Sequence, residues 1–370
     1  MRNKMLNWIE ISSSNLENNI NQIKSIIPDD TKIMAVVKGN AYGHGSILVA
    51  RKLKELGIND FAVATIDEGI ELRKNNIDGN ILILGFTDIS RLNDVIKYDL
   101  IQTVVDYNYF LMLKRAKLSE RLKCHIKINT GMNRLGIDYN DFSHLDKIYK
   151  SNKLNILGTF SHLCVSDSSL DSDILFTKRQ IKNFDECIFY LKKKYNVGLL
   201  HLQGSYGIIN YSYLKYDYVR AGIIMYGVND LINSYQKIKL DLKPVLSLKA
   251  KIVSIRNIQK GSSVGYGSSY VASKNMKIAT VAIGYFDGID RLLSNNLVVK
   301  VGKYYVNVVG KICMNQLMID ITDTFNVKVL DVVDFIDSDL RVEDMACRID
   351  SISHGILSRL NKDITRIEIR

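Results

Sequence analysis

The chain has 370 residues, 46% of them hydrophobic and 24% charged, which is enough apolar material for two domains or for one large barrel with an addition. Its net charge of +11 comes from lysine and arginine spread along the whole length, with no basic block and no aromatic-interleaved basic stripe. That pattern argues against nucleic acid as a partner and favours small anionic substrates.

No unbroken apolar stretch approaches the ~20 residues of a membrane span, and the opening MRNKMLNWIEI holds no secretory core, so a soluble, cytoplasmic chain is expected. Cys124, Cys164, Cys187, Cys313 and Cys347 are odd in number, widely spaced and free of CxxC pairs. The histidines are equally scattered. Neither a disulfide framework nor a metal site is expected, and a reducing compartment fits.

In chain order, strand-like runs at residues 32–37, 60–65, 80–84, 101–105, 124–129, 155–161, 198–203 and 217–220 alternate with amphipathic segments such as 47–56, 111–122 and 174–194. Eight strands with helical crossovers predict an α/β fold, a parallel (β/α)8 barrel of the TIM type. Beyond about residue 240 the texture changes. Runs at 245–258, 276–284, 298–301 and 304–309 are β-rich with short polar links, and Gly302-Lys303 reads as a hairpin turn. A long helical pattern returns only at about 343–360. Pro244, one of two prolines, sits near the join. The expected domains are a barrel over residues 1–240 and a mostly antiparallel β domain over residues 241–370.

Barrel enzymes build their sites at the C-terminal ends of the strands. Lys38 follows the first strand in MAVVKGNAYGHG, and Lys127 lies near the end of the fifth. His162 follows the sixth, Ser205 follows the seventh in HLQGSYG, and Arg220 and Gly222 end the eighth in YVRAGI. One strand-end lysine is usually a solvated rim residue, and a lone histidine usually packs. A lysine, a histidine, an arginine and a Gly/Ser loop on one rim exceed what packing requires. A lysine in a desolvated, cation-rich mouth has a lowered pKa and forms Schiff bases. Ser205, with the backbone of Gly222 and Ile223, occupies the common phosphate position of this fold. A carbonyl-reactive lysine facing a phosphate cradle suggests pyridoxal 5′-phosphate.

On these residues the sequence resembles the alanine racemase family. AVVKGNAYGHG is similar to that family's cofactor-lysine signature, with Gly39 where alanine is usual. KINTGMNRLG, FSHL, HLQGSYG, VRAGI, MYG, LKPVLSLKA, VGYG, IGYFDG and GKICMNQ follow in the family's order, over nearly the whole chain. The resemblance implies that Lys38 holds the cofactor and acts as one acid/base. Tyr42 and Ser205 would donate to its phosphate, with the amides of Gly222 and Ile223. Arg220 would face the ring nitrogen, and because arginine keeps its protons the ring becomes a weaker electron sink, which suppresses transamination. His162 would sit beside the ring.

Tyr266 would be the second base, reaching in from the partner subunit of a homodimer. A phenol titrates near ~10 and needs nearby cations for that task. Arg134, with the amide of Met314, would bind the substrate carboxylate. Lys127 matches a lysine that is carbamylated in many members, and Arg291 would stand at the entrance. The implied activity is interconversion of L- and D-alanine for peptidoglycan precursors. Asn129 and Asn315 depart from common aspartates, Ala221 from proline and His354 from tyrosine. His354 keeps a serine or serine/alanine racemase of the kind associated with glycopeptide resistance open. A non-catalytic cofactor carrier would lack residues 245–370, and a barrel-type decarboxylase would bring a late cysteine motif that is missing here.

Overall fold

The computed structural model describes residues 5–230 and 236–370. Eight strands form the closed part of the first sheet: Lys32–Val36, Asp60–Val63, Asn80–Ile83, Ile101–Val104, Leu122–Asn129, Leu154–Phe160, Leu199–His201 and Tyr218–Ala221. Each pairs in parallel with its neighbour in sequence, and the last pairs back onto the first through Val219↔Ile33 and Arg220↔Met34, so the barrel closes. The expected (β/α)8 barrel followed by an antiparallel β domain is the architecture found.

Period-two alternation explains where the strand residues go. Ile33, Ala35, Phe61, Val63, Ile81 and Ile83 join the main core with the surrounding helices. Met34, Val36, Ala62, Leu82 and Ile101 form a second cluster, on the faces turned to the barrel axis. From the fifth strand onward the axial positions change character. His125, Lys127, His201 and Arg220 are buried there. One half of the barrel interior is thus apolar and the other half carries nitrogen-rich side chains.

Helix boundaries follow their caps. Thr65 starts Ile66–Lys74 with a capping box that includes Glu68. The segment expected at 111–122 is found earlier, at Tyr107–Arg115, because the Asp106 carboxylate accepts the Tyr109 amide and sets the start. The helix expected over 343–360 is two short helices, Val342–Cys347 and Ser353–Ser358, with Asp350 at φ 50° between them.

In the β domain, Leu246–Ile258, Met276–Val281, Leu317–Asp320, Tyr304–Val309, Val298–Val301 and Val332–Ile336 pair in an antiparallel ring. Gly302 and Lys303 make the expected two-residue turn, with Gly302 at φ 58°. The strand Asn7–Ser12 pairs with Leu246–Ile258 and with Arg366–Ile369, so residues placed by sequence in the barrel unit belong to the second sheet.

The two sheets are joined tightly. Asn19, fully buried, donates to the carbonyls of Met225 and Lys243 and accepts the Lys243 amide. Gly227 stands at φ 76°, where a Cβ would lie 1.8 Å from the Lys243 carbonyl oxygen. Gly227→Ala should therefore destabilise the chain by roughly 2–4 kcal/mol. Gly57→Ala, at a similar φ but in open space, should cost about 1 kcal/mol. Equal urea midpoints for the two variants would contradict this close approach.

Candidate active site

The first strand ends at Val36, and the chain then turns against its usual hand. Gly39, Asn40, Ala41 and Tyr42 have φ of 61°, 53°, 53° and 51°, one turn of left-handed helix. Its bonds include the Ala41 amide to the Val37 carbonyl and the Gly43 amide to the Gly39 carbonyl. Glu68 accepts the Gly39 amide at 2.6 Å, Asn40 accepts the Ser46 amide at 2.9 Å, and Arg366 donates twice to the Gly43 carbonyl. This turn sets the half-buried Lys38 at the barrel mouth, on a cavity of about 790 Å³. Burial first and Arg134 next lower the Lys38 pKa; Glu68 acts in the opposite sense and Arg220 adds to the lowering.

Opposite the lysine, three donors share a small hollow. The Gly222 amide donates to the Ser205 hydroxyl at 3.1 Å. A Cβ on Gly222 would lie 3.1 Å from the Tyr42 hydroxyl and 3.4 Å from that of Ser205, so only glycine leaves the hollow open. Burial pushes the Tyr42 phenol up to about 12, and it stays protonated as a donor.

Arg220 is buried among acceptors with no carboxylate in ion-pair reach among the described residues. It donates to His201 Nδ1 at 2.7 Å, to the Ser161 and Leu202 carbonyls, and to His162 Nδ1 at 3.0 Å. Burial brings its pKa down to about 9, still charged at neutrality. Arginine only donates, so both imidazoles accept at Nδ1 and carry their proton on Nε2. His201 Nε2 then donates to His125 Nδ1 at 2.8 Å. One guanidinium thus fixes the tautomers of three rings. Burial, then the Arg220 charge, pushes His162 and His201 well below the ordinary histidine range and His125 to about 3.

Lys127 lies on the same wall, buried, its amine 4.6 Å from the centre of the Phe160 ring. Burial, then Arg220 and Arg134, holds it well below the usual lysine range. Arg134 lines the open side. The loop before it is built by Asn129, which accepts the Gly131 and Asn133 amides and donates to Asp138 at 2.7 Å. An aspartate at 129 would face that carboxylate, so the amide suits this site. His354 also borders the cavity, its ring 5.6 Å from that of Tyr42 and its Nδ1 3.6 Å from Asp230.

The cavity therefore gathers Lys38, Tyr42, Lys127, Arg134, His162, Ser205, Arg220, Gly222 and Ile223. It does not gather Tyr266 or Met314. Both sit in the β domain, 68% and 53% exposed, and neither they nor Arg291 line it. Glu68, His125, Phe160 and His201 are further members of the site. The T-x-x-E spacing at 65–68 and the alternation of axial positions are the sequence signals that point to them.

Residues 11–230 match the family model described as alanine racemase, N-terminal domain, and residues 245–368 match that of the alanine racemase C-terminal domain. An amino-acid racemase from Enterococcus faecalis is 39% identical over 353 residues, covering 95% of this chain and 49% of the relative. A serine/alanine racemase from Enterococcus gallinarum is 40% identical over 315 residues, covering 85% of this chain and 45% of the relative. The chain spans about half the length of these two curated relatives. A solved alanine racemase from Clostridium difficile 630 superposes with a TM-score of 0.90 at 31% identity, covering 99% of this chain and 96% of that one.

The three neutral rings make stability depend on pH. An imidazole whose pKa is depressed by folding contributes fully above about pH 6.5 and progressively less as pH falls toward its folded value. Each proton taken up only on unfolding removes about 1.4 kcal/mol per pH unit. Urea midpoints should therefore fall between pH 6.5 and 5, and His125→Asn should reduce the slope of that fall by about one proton. A slope untouched by the substitution would contradict a neutral His125.

Proposed function

The chain belongs to the alanine racemase family, and on that premise we propose that it is an amino-acid racemase that uses pyridoxal 5′-phosphate, with alanine as its substrate. The observation that carries this reading is the pairing of a half-buried, pKa-lowered Lys38 with a glycine-dependent hollow lined by Tyr42, Ser205 and Gly222. The hollow has the donor chemistry of a phosphate site. Among the described residues the Nε–H of Arg220 donates to no protein acceptor, which leaves a donor for a ring nitrogen. The residues present therefore fit the cofactor. Lys38 would hold its aldehyde carbon, and the Tyr42 and Ser205 hydroxyls with the Gly222 and Ile223 amides its phosphate. Bound there, it would supply an electron sink for the α-carbon of an amino acid.

Racemisation then needs two proton carriers on opposite faces. Lys38 is one, its amine made a weaker holder of its proton by burial and two guanidinium groups. Tyr266 is the other, and it acts in a second copy of the chain. It is presented outward between Gly265 and Gly267, both left-handed, and away from its own cavity. Arg134, with the Met314 amide of that second copy, binds the substrate carboxylate. Arg220 and Arg134 keep the mouth cationic and favour a tyrosinate arriving there. Lys127 takes up carbon dioxide as a carbamate with release of a proton, because burial and two adjacent cations weaken its hold on a proton and the new anion would relieve those cations. A carbamate carbon signal from ¹³C-bicarbonate, lost in Lys127→Ala, checks this; its absence from the native chain refutes it.

A second reading of the substrate rests on His354 and Asp230, which add a polar edge to the cavity where a hydroxyl side chain would bind. Serine is accordingly the alternative. The matched C-terminal domain argues against a carrier without catalysis. Chiral analysis of products from L-alanine and L-serine tests the whole reading. Alanine should racemise faster. Lys38→Ala should lose the cofactor's visible absorbance and all activity, and Tyr266→Phe should keep the absorbance but not the activity. Mixing the two inactive variants should restore up to about a quarter of the native rate, since only half the dimers are mixed and each holds one intact site. No recovery on mixing, in dimers shown to exchange, would refute the shared site.

A further inference from the structure

Glu68 stands outside the roles assigned so far, yet its carboxylate is fully engaged in one direction only. Oε1 accepts the Gly39 amide at 2.6 Å. Oε2 accepts the Ala64 amide at 2.7 Å and the Thr65 amide at 3.3 Å. All three partners are backbone donors, on two segments distant in sequence. The first is the left-handed turn that begins at Gly39. The second is the end of the second barrel strand, where the capping box of Ile66–Lys74 opens. Only an ionised carboxylate accepts on both sides. A glutamine amide would turn its NH₂ group against one set of donors, and an aspartate would be one methylene short of reaching both. Glu68 also lines the cavity beside Lys38.

We propose that Glu68 is a positioning residue for Lys38: it fastens the left-handed turn to the neighbouring strand and sets a carboxylate beside the lysine. The proposal rests on the reading of Lys38 as the cofactor-bearing base. The charged and titratable groups that face Lys38 are Arg134, Arg220, His162 and Glu68. The two guanidinium groups disfavour a proton on the lysine, the neutral His162 ring adds no charge, and Glu68 favours one. Without the Glu68 charge the amine sheds its proton at lower pH. Without the Glu68 bond, Gly39 is released and the lysine loses its aim.

The test uses the holoenzyme and three variants, Glu68→Gln, Glu68→Asp and Thr65→Ala. Thr65→Ala removes the hydroxyl half of the same capping box and leaves the carboxylate in place, so it reports on helix capping alone. Visible absorbance against pH follows the lysine-bound cofactor, and kcat and KM are measured in parallel. Glu68→Gln should move the midpoint of the absorbance titration to lower pH and reduce kcat roughly 10- to 100-fold with little change in KM. Glu68→Asp keeps the charge; it should leave the titration midpoint near native while kcat falls. Thr65→Ala should change neither, although its thermal midpoint falls. A native kcat and a native midpoint in Glu68→Gln would overturn the proposal, as would a Thr65→Ala variant as slow as Glu68→Gln. Failure of the underlying reading is separate: native absorbance would then survive Lys38→Ala. If Glu68→Gln does not fold, a native kcat in Glu68→Asp alone would overturn the claim that reach matters.

Discussion

A reactive amine has to be held still as well as kept from water, and the left-handed turn at residues 39–42 does the holding. Three L-residues in that conformation cost about 3–6 kcal/mol together, at 1–2 kcal/mol each. Asn40 tolerates this conformation better than most residues, but no local preference of Ala41 or Tyr42 offsets the cost. Hydrogen bonds to charged groups contribute about 1.5–3 kcal/mol each, and Glu68 and Arg366 bring them from two sides. The strain and the latches are of the same order. The turn therefore exists because the barrel and the β domain both grip it.

Behind the turn, the barrel separates two jobs between its halves. Met34, Val36, Ala62, Leu82 and Ile101 give the first strands an ordinary apolar interior. The later strands bury His125, Lys127, His201 and Arg220 instead. Buried cations are costly unless something shares the load. Here carbonyls and neutral imidazoles share it, and the guanidinium imposes one proton arrangement on all of them. The outcome is a mouth where an anion is welcome.

Much of this was legible in the order of residues. The eight barrel strands announce themselves by short β-rich runs between helical spacings, and the strand ends name Lys38, His162, Ser205 and Arg220 directly. The missing parts are those set by distance along the chain. Asn7–Ser12 has a clear strand texture, but its partners are Leu246–Ile258 and Arg366–Ile369, and no local signal names them. The break between Val342–Cys347 and Ser353–Ser358 rests on a left-handed Asp350, which apolar spacing does not reveal. Glu68 is visible as a cap, but its second bond, to Gly39, comes from the fold. The proposed arrival of Tyr266 at a cavity lies beyond a single copy altogether.

The placement of Asn7–Ser12 also has a consequence for biosynthesis. On the ribosome this strand leaves the exit tunnel long before either of its neighbours, and its backbone donors and acceptors wait unpaired while the barrel assembles. Arg366, which grips the Gly43 carbonyl, is translated 323 residues after it. The barrel mouth is thus completed late: a nascent chain carries a finished barrel wall but a loose lysine segment until the strand Arg366–Ile369 has emerged and docked.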